Sequence, residues 1–214
     1  MTSSSLVAWL DRMLFAHPFE GRSARRYAAG ERAAFGDLDD RLLDGWAAEI
    51  ARSRTLLELG CGPATFATRA AARVPRLSVI ALDPSRDFAR QHASLHVARA
   101  AGEALPLASA SIDVAVCLSS IRHVRDRGAV LRELRRVVRG PLWIVELDPA
   151  ASRDRIAAHA DRLSSPVLRR AFGPIVVRMA PTVDAITASA SAAGWRVTDQ
   201  RVDPIQPVYI VELS

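Results

Sequence analysis

The sequence predicts an α/β fold in which a mostly parallel sheet carries helices on both faces. Three observations predict it. From Thr55 onward, short apolar runs recur: TLLEL (55–59), LSVIAL (77–82), LHVA (95–98), IDVAVCL (112–118) and LWIVEL (142–147). Each run is almost continuously apolar, which is the mark of a strand buried on both faces rather than on one. Segments of helical period separate them, and 214 residues of which 50% are hydrophobic suffice to bury one substantial core.

In chain order, residues 5 to 52 read as helices. Leu6, Trp9, Leu10, Met13 and Leu14 share one face, and Leu38, Leu42, Leu43, Trp46 and Ile50 form a second amphipathic run. His17-Pro18 ends the first run, because the residue before a proline is pushed out of the helical region. Helices are expected at 64–74, 85–92 and 126–138, the last with Val130, Leu131, Leu134 and Val138 on one side and Arg139-Gly140-Pro141 as its stop. Residues 150 to about 179 look less regular and rich in arginine. A helix from Thr182 to Ala193 ends at Gly194, and WRVTDQRV (195–202) and PVYIVEL (207–213) read as an antiparallel pair joined by a proline-containing turn. With no repeat or linker, 1–214 reads as one domain.

The composition excludes several classes. The net charge is +6 and every basic residue is arginine, with no lysine in the chain, so the basicity reads as a residue-usage bias rather than a nucleic-acid stripe. Cys61 and Cys117 are too few for a disulfide framework and lie in no metal-binding pattern, which fits a reducing cytoplasm. Asp11 and Arg12 interrupt the first apolar stretch, which lacks the layout of a signal peptide. Asp113 breaks the most hydrophobic stretch, from Leu105 to Ile121, so a cytoplasmic protein without membrane insertion is expected.

The chemistry concentrates at Glu58-Leu59-Gly60-Cys61-Gly62-Pro63. A strand that turns sharply into a helix through side-chain-free residues lets a ligand approach the backbone. A dinucleotide fingerprint would place a third glycine where Thr65 stands, and Glu58 would oppose a pyrophosphate. A ligand with an ammonium group would instead welcome that carboxylate. Asp83, about twenty residues beyond the turn and at the next strand end, suits the two hydroxyls of a ribose.

On these residues the chain resembles class I S-adenosylmethionine-dependent methyltransferases. LLELGCGPATFA (56–67) is similar to their first motif and ALDPSRDF (81–88) to the end of their second strand. EALPL (103–107), SIDVAVCLSSIRHV (111–124) and LRELRRVVRGPLWIVE (131–146) are similar to later blocks of the small-molecule branch that includes ubiquinone and menaquinone biosynthesis enzymes. The resemblance implies a Rossmann-like, doubly wound, seven-stranded sheet whose last strand is antiparallel. It also implies S-adenosyl-L-methionine as cofactor and methyl transfer to an O, N or C atom of a small-molecule acceptor. Residues 1–52 become a helical lid region, 55–147 the cofactor-binding core, 150–180 a substrate-side insertion and 182–214 a closing helix and strand pair.

By the same resemblance, Gly60, Cys61 and Gly62 line the methionine part of the cofactor, with Glu58 near its ammonium. Asp83 takes the ribose, and Pro84 and Phe88 lie near the adenine. Gly102, Glu103 and Ala104 flank the base, Leu105 packs on it, and Ser119 lies near the methionine portion. The carboxylate that the family directs to the adenine amino group falls on Ala101, with Glu103 as the available substitute.

Methyl transfer from a sulfonium expels a neutral thioether, so alignment and exclusion of water carry much of the rate. His123 is the candidate base where an acceptor must lose a proton, with packing beneath the loop as the alternative. Glu146 and Asp148, at the fifth strand end, read as ligand-side groups or as loop caps. Arg22, Arg25, Arg26 and Tyr27, with Arg169, Arg170 and Arg178, are candidates for an acidic acceptor or for solvated faces. No metal-site spacing occurs. LSS at the fourth strand end replaces the NPPY or DPPY of nucleic-acid amino methylation, so nucleic acid is not the expected partner. A cofactor-binding sensor or partner subunit without turnover is the competing reading, and nothing in the pattern selects an oligomeric state.

Overall fold

The computed structural model describes residues 19–90 and 96–214. The first apolar helix, with Leu6, Trp9, Leu10, Met13, Leu14 and the His17-Pro18 stop, lies outside the described residues. The described chain opens with helix α1 (Arg22–Ala29) and a 3-10 turn over Glu31–Phe35. The run expected as one helix divides into α2 (Leu38–Gly45) and α3 (Ala47–Arg52), because Trp46 leaves helical geometry with ψ near 12°.

Strand β1 (Thr55–Leu59) leads to helix α4 (Thr65–Arg73), β2 (Ser78–Asp83) and α5 (Arg86–Ala89), followed by β3 (His96–Arg99) and β4 (Val114–Leu118). A 3-10 turn (Ile121–His123) and helix α6 (Arg127–Val137) lead to β5 (Leu142–Leu147). Where an irregular stretch was expected, the chain forms α7 (Arg153–Asp161), α8 (Pro166–Ala171) and a wide π turn (Phe172–Val177). Pro174 lies inside that turn and lacks the N–H that a regular helix would need. Helix α9 (Val183–Ala192) and strands β6 (Val197–Val202) and β7 (Val208–Leu213) complete the fold.

The strands form one seven-stranded sheet in the order β3-β2-β1-β4-β5-β7-β6. β3, β2, β1, β4 and β5 are mutually parallel, and β7 runs antiparallel to both β5 and β6. The outcome is the Rossmann-like sheet that the sequence predicts, with the antiparallel pair at one end. Chain order reverses between β1 and β4, and a crevice opens at such a switch beyond the carboxyl ends of the strands.

Every residue of β5 is buried, and its side chains divide by parity. Trp143 and Val145 enter one core with α2, α3 and α4, while Leu142 and Ile144 enter the other with α6 and α9. Trp143 stacks on Trp46 with ring centroids 4.3 Å apart and planes 3° from parallel. The Trp46 indole N–H donates to Glu212 of β7 at 3.1 Å, so one side chain joins the helical layer to two strands. Among the described residues no helix is long and apolar enough to cross a membrane.

Replacing Trp143 with alanine leaves a void opposite Trp46 and should cost about 3–5 kcal/mol of stability. The measurement is the urea midpoint, at unchanged slope, of the variant against the parent protein.

Candidate active site

The glycine turn is folded against the end of β2. The N–H groups of Gly60 and Cys61 both donate to the carbonyl of Leu82, at 2.7 and 3.1 Å. Gly60 and Gly62 hold φ of 70° and 52°, a region in which a side chain is strained. A Cβ on Gly60 would collide with Ser120 of the loop after β4, and one on Gly62 would sit against Tyr27 and Phe88. The turn is therefore closed to a side chain at Gly60 by Ser120 and strained for one at Gly62 by its positive φ, and it borders the cavity.

Asp83 is locked to this turn. One carboxylate oxygen accepts from Gly62 N at 2.8 Å, and the other accepts from Ser85 N at 2.8 Å. Burial pushes its carboxyl above the ordinary range, while these two N–H donors pull the other way. Glu58 is 2% exposed and accepts from Ala67 N at 2.9 Å, in the first turn of α4. Burial pushes the Glu58 carboxyl up to about 8, against the opposing pull of Arg32.

These groups border a cavity of about 320 Å³, within the range of small-molecule sites. Its wall includes Glu58, Gly60, Cys61, Gly62, Asp83, Pro84, Phe88, Gly102, Glu103, Ser119 and His123 from the sequence-predicted set. Two expected residues stand apart from it. Ala104 turns outward, and Leu105 is 5% exposed within the second core, its N–H given to Glu133 at 2.9 Å and its carbonyl to Arg136 at 3.1 Å. Gly102 is small because Val130 and Leu59 crowd the place of a Cβ. Ala101 also lines the cavity, so the wall beside Glu103 carries no second carboxylate.

The loop after β4 depends on a pairing that the sequence did not reveal. Ser119 has φ of 55°, unusual outside glycine. Its N–H donates to Val145 O at 2.6 Å, and Arg122 donates to its carbonyl at 2.8 Å. The same guanidinium meets Glu146, which is fully buried, at 2.6 Å. Glu146 also accepts from the N–H groups of Arg122 and Leu147. It thus anchors the loop from behind, and Asp148 caps its own turn at Ala150 N. His123 stands edge-on to Phe19, centroids 5.6 Å apart, on the cavity wall.

The cover of the cavity also departs from expectation. Tyr27 lines it, while Arg22, Arg25, Arg26, Arg169, Arg170 and Arg178 are exposed and outside its wall. Arg32 enters instead, paired with buried Asp39 at 2.6 Å and set 5.1 Å from the Phe35 ring centroid. Residues 150–180 do not line the cavity; they brace the turn that carries Arg32. Glu31 accepts from Ser164 Oγ at 2.7 Å and Ser165 N at 3.2 Å. His159 packs between Phe172, stacked at 4.5 Å, and Phe35, edge-on at 4.9 Å, with its Nδ1 2.7 Å from Gln206. Neither the pairing of Arg32 with Asp39 nor that of Arg122 with Glu146 leaves a periodic trace in the sequence.

Glu58 holds a raised pKa in the fold, so the fold binds its proton more tightly than the unfolded chain does. The resulting stability is complete below the unfolded value near 4.5 and is lost as pH rises through about 8. The thermal midpoint of the parent should fall from pH 6 to pH 9 more steeply than that of Glu58→Gln. Parallel melting curves across that range would contradict this ionisation.

Comparison with known proteins concerns the same part of the chain. Residues 57–141 match the family model described as a methyltransferase domain. A malonyl-[acyl-carrier protein] O-methyltransferase of Pseudescherichia vulneris is 36% identical over 91 residues, which cover 41% of this chain and 36% of that protein. The chain thus spans little more than a third of that curated relative's length. An S-adenosylmethionine-dependent methyltransferase of Aquifex aeolicus superposes with a TM-score of 0.63 at 14% identity, covering 100% of this chain and 98% of that one. One from Mesorhizobium loti gives 0.58 at 18%, covering 84% and 99%. Residues 57–141 thus resemble a methyltransferase domain, and the sheet shares the fold of the S-adenosylmethionine-dependent methyltransferases it superposes on.

Proposed function

We propose that this protein transfers a methyl group from S-adenosyl-L-methionine to an O, N or C atom of a small-molecule acceptor in the cytoplasm. The observation that carries the reading is the single unit made by the glycine turn and Asp83, an acid bonded to Gly62 on the wall of the cavity. The residues present fit the cofactor. Gly60 and Gly62, both at positive φ, shape a tight turn on the cavity wall, and Asp83 offers a preoriented carboxylate to a ribose. Glu58 meets an ammonium group, and Arg32, on the same wall, meets the neighbouring carboxylate. Pro84, Phe88, Gly102 and Glu103 border the adenine, with Cys61 and Ser119 beside the methionine chain.

When bound, the cofactor supplies an electrophilic methyl group and leaves as a neutral thioether. The protein supplies position and dryness. Phe19, Tyr27, Phe88 and His123 form a ring-lined cover, with Phe19 and Tyr27 centroids 4.8 Å apart, and such a wall keeps water from the reacting atoms. Ser119 and His123 lie on the loop that Arg122 and Glu146 hold rigid, and His123 accepts a proton where the acceptor must lose one. The relative that acts on a malonyl-[acyl-carrier protein] makes small acyl carboxylates the first acceptors to try.

Asp83→Ala should weaken binding of S-adenosylhomocysteine by more than about tenfold, as expected for loss of charge-assisted hydrogen bonds, in a calorimetric titration. Unchanged affinity would remove the cofactor assignment from this cavity. His123→Ala should leave that affinity near the parent value and slow methylation of an acceptor by about a hundredfold where proton removal is required. Cofactor binding without methylation of any acyl, amine or phenol acceptor would favour a sensor or partner subunit.

A further inference from the structure

The cavity wall that faces α5 is built by Phe19–Gly21, outside every motif described above. Phe19 and Glu20 line the cavity. Three successive residues are tied to three successive residues beyond Pro84. The Phe19 carbonyl accepts from Ser85 Oγ at 2.6 Å, Glu20 accepts from Arg86 N at 2.8 Å, and Gly21 N donates to the Asp87 carboxylate. The Phe19 ring meanwhile reaches Tyr27, Phe88 and His123.

This strap brings a second carboxylate to the wall that holds Asp83. The bond to Arg86 N uses Glu20 Oε1 and leaves acceptor capacity on the carboxylate. Each oxygen of Asp83 already accepts one backbone N–H and keeps one further acceptor site. Glu20 lies near enough to raise the Asp83 carboxyl. Two carboxylates facing one cavity repel each other unless a donor-rich group enters between them. A vicinal diol is such a group, with two hydroxyl donors on adjacent carbons.

We propose that Glu20 is a second ribose-binding residue, sharing with Asp83 the two hydroxyls of the cofactor's sugar, so that the strap both closes the cavity and reads the ribose. This inference rests on the preceding assignment of Asp83 to the ribose. Glu20→Gln is the informative variant, because a glutamine keeps the volume and a carbonyl acceptor for Arg86 N while removing the charge.

The experiment is calorimetric titration of the full chain and of Glu20→Gln with S-adenosylhomocysteine and with its 2′-deoxy and 3′-deoxy analogues. The variant should bind S-adenosylhomocysteine about tenfold more weakly, the loss expected for a charge-assisted hydrogen bond. With at least one deoxy analogue, parent and variant should bind alike, because the hydroxyl that senses the charge is gone. An equal loss for all three ligands would mark Glu20 as a structural fastener and overturn the inference, as would no loss for any. A parent protein that binds no S-adenosylhomocysteine would overturn the cofactor assignment itself.

Discussion

The structure is organised around the carbonyl of Leu82. That one acceptor takes the N–H groups of Gly60 and Cys61, and so pins the turn after β1 to the end of β2. The neighbouring residue, Asp83, returns the contact through Gly62 N. Two strand ends, a left-handed turn and an acid thereby become one rigid piece. Such a piece meets a ligand with its donors and acceptors already oriented, which lowers the entropy lost on binding. The sheet order follows the same constraint, because β1 lies between β2 and β4 and the crevice can open only where all three end.

A second frame surrounds the first and is held by buried ion pairs. Arg122 with Glu146 shapes the loop after β4, and Arg32 with Asp39 shapes the wall beside Glu58. Removing one member of such a pair leaves an uncompensated charge in a poorly solvated place, so both pairs are rigid points in the cavity wall. The aromatic cover is different in kind. Phe19, Tyr27, Phe88 and His123 meet in tilted and edge-on ring pairs, held by apolar contact and the ring quadrupoles rather than by charge.

Much of this was legible in the sequence. β1 and β5 occupy the expected TLLEL and LWIVEL because a strand buried on both faces leaves an uninterrupted apolar run. The glycine turn and Asp83 were legible because their positions are local and their residue types are demanded by backbone geometry. The ion pairs were not. Arg122 and Glu146 stand 24 positions apart, and in a chain rich in arginine and without lysine neither partner differs visibly from its surroundings. Helices α7 and α8 escaped for another reason. α8 buries no residue fully, and α7 turns His159 and Ala160 inward, so neither has a strong apolar stripe. Leu105, an apolar residue within a site motif, lies in the second core, and an apolar residue type does not by itself separate the two places.

The bracing of Arg32 has a consequence for the order in which the site matures. Glu31 is held by Ser164 and Ser165, and the carbonyl of Phe35 by Gln206, which also meets His159. A chain emerging from the ribosome presents the glycine turn and Asp83 long before those fasteners exist. The half of the cavity wall formed by the glycine turn and Asp83 is thus built from nearby sequence. The wall that carries Arg32 is set only when the final hairpin is delivered.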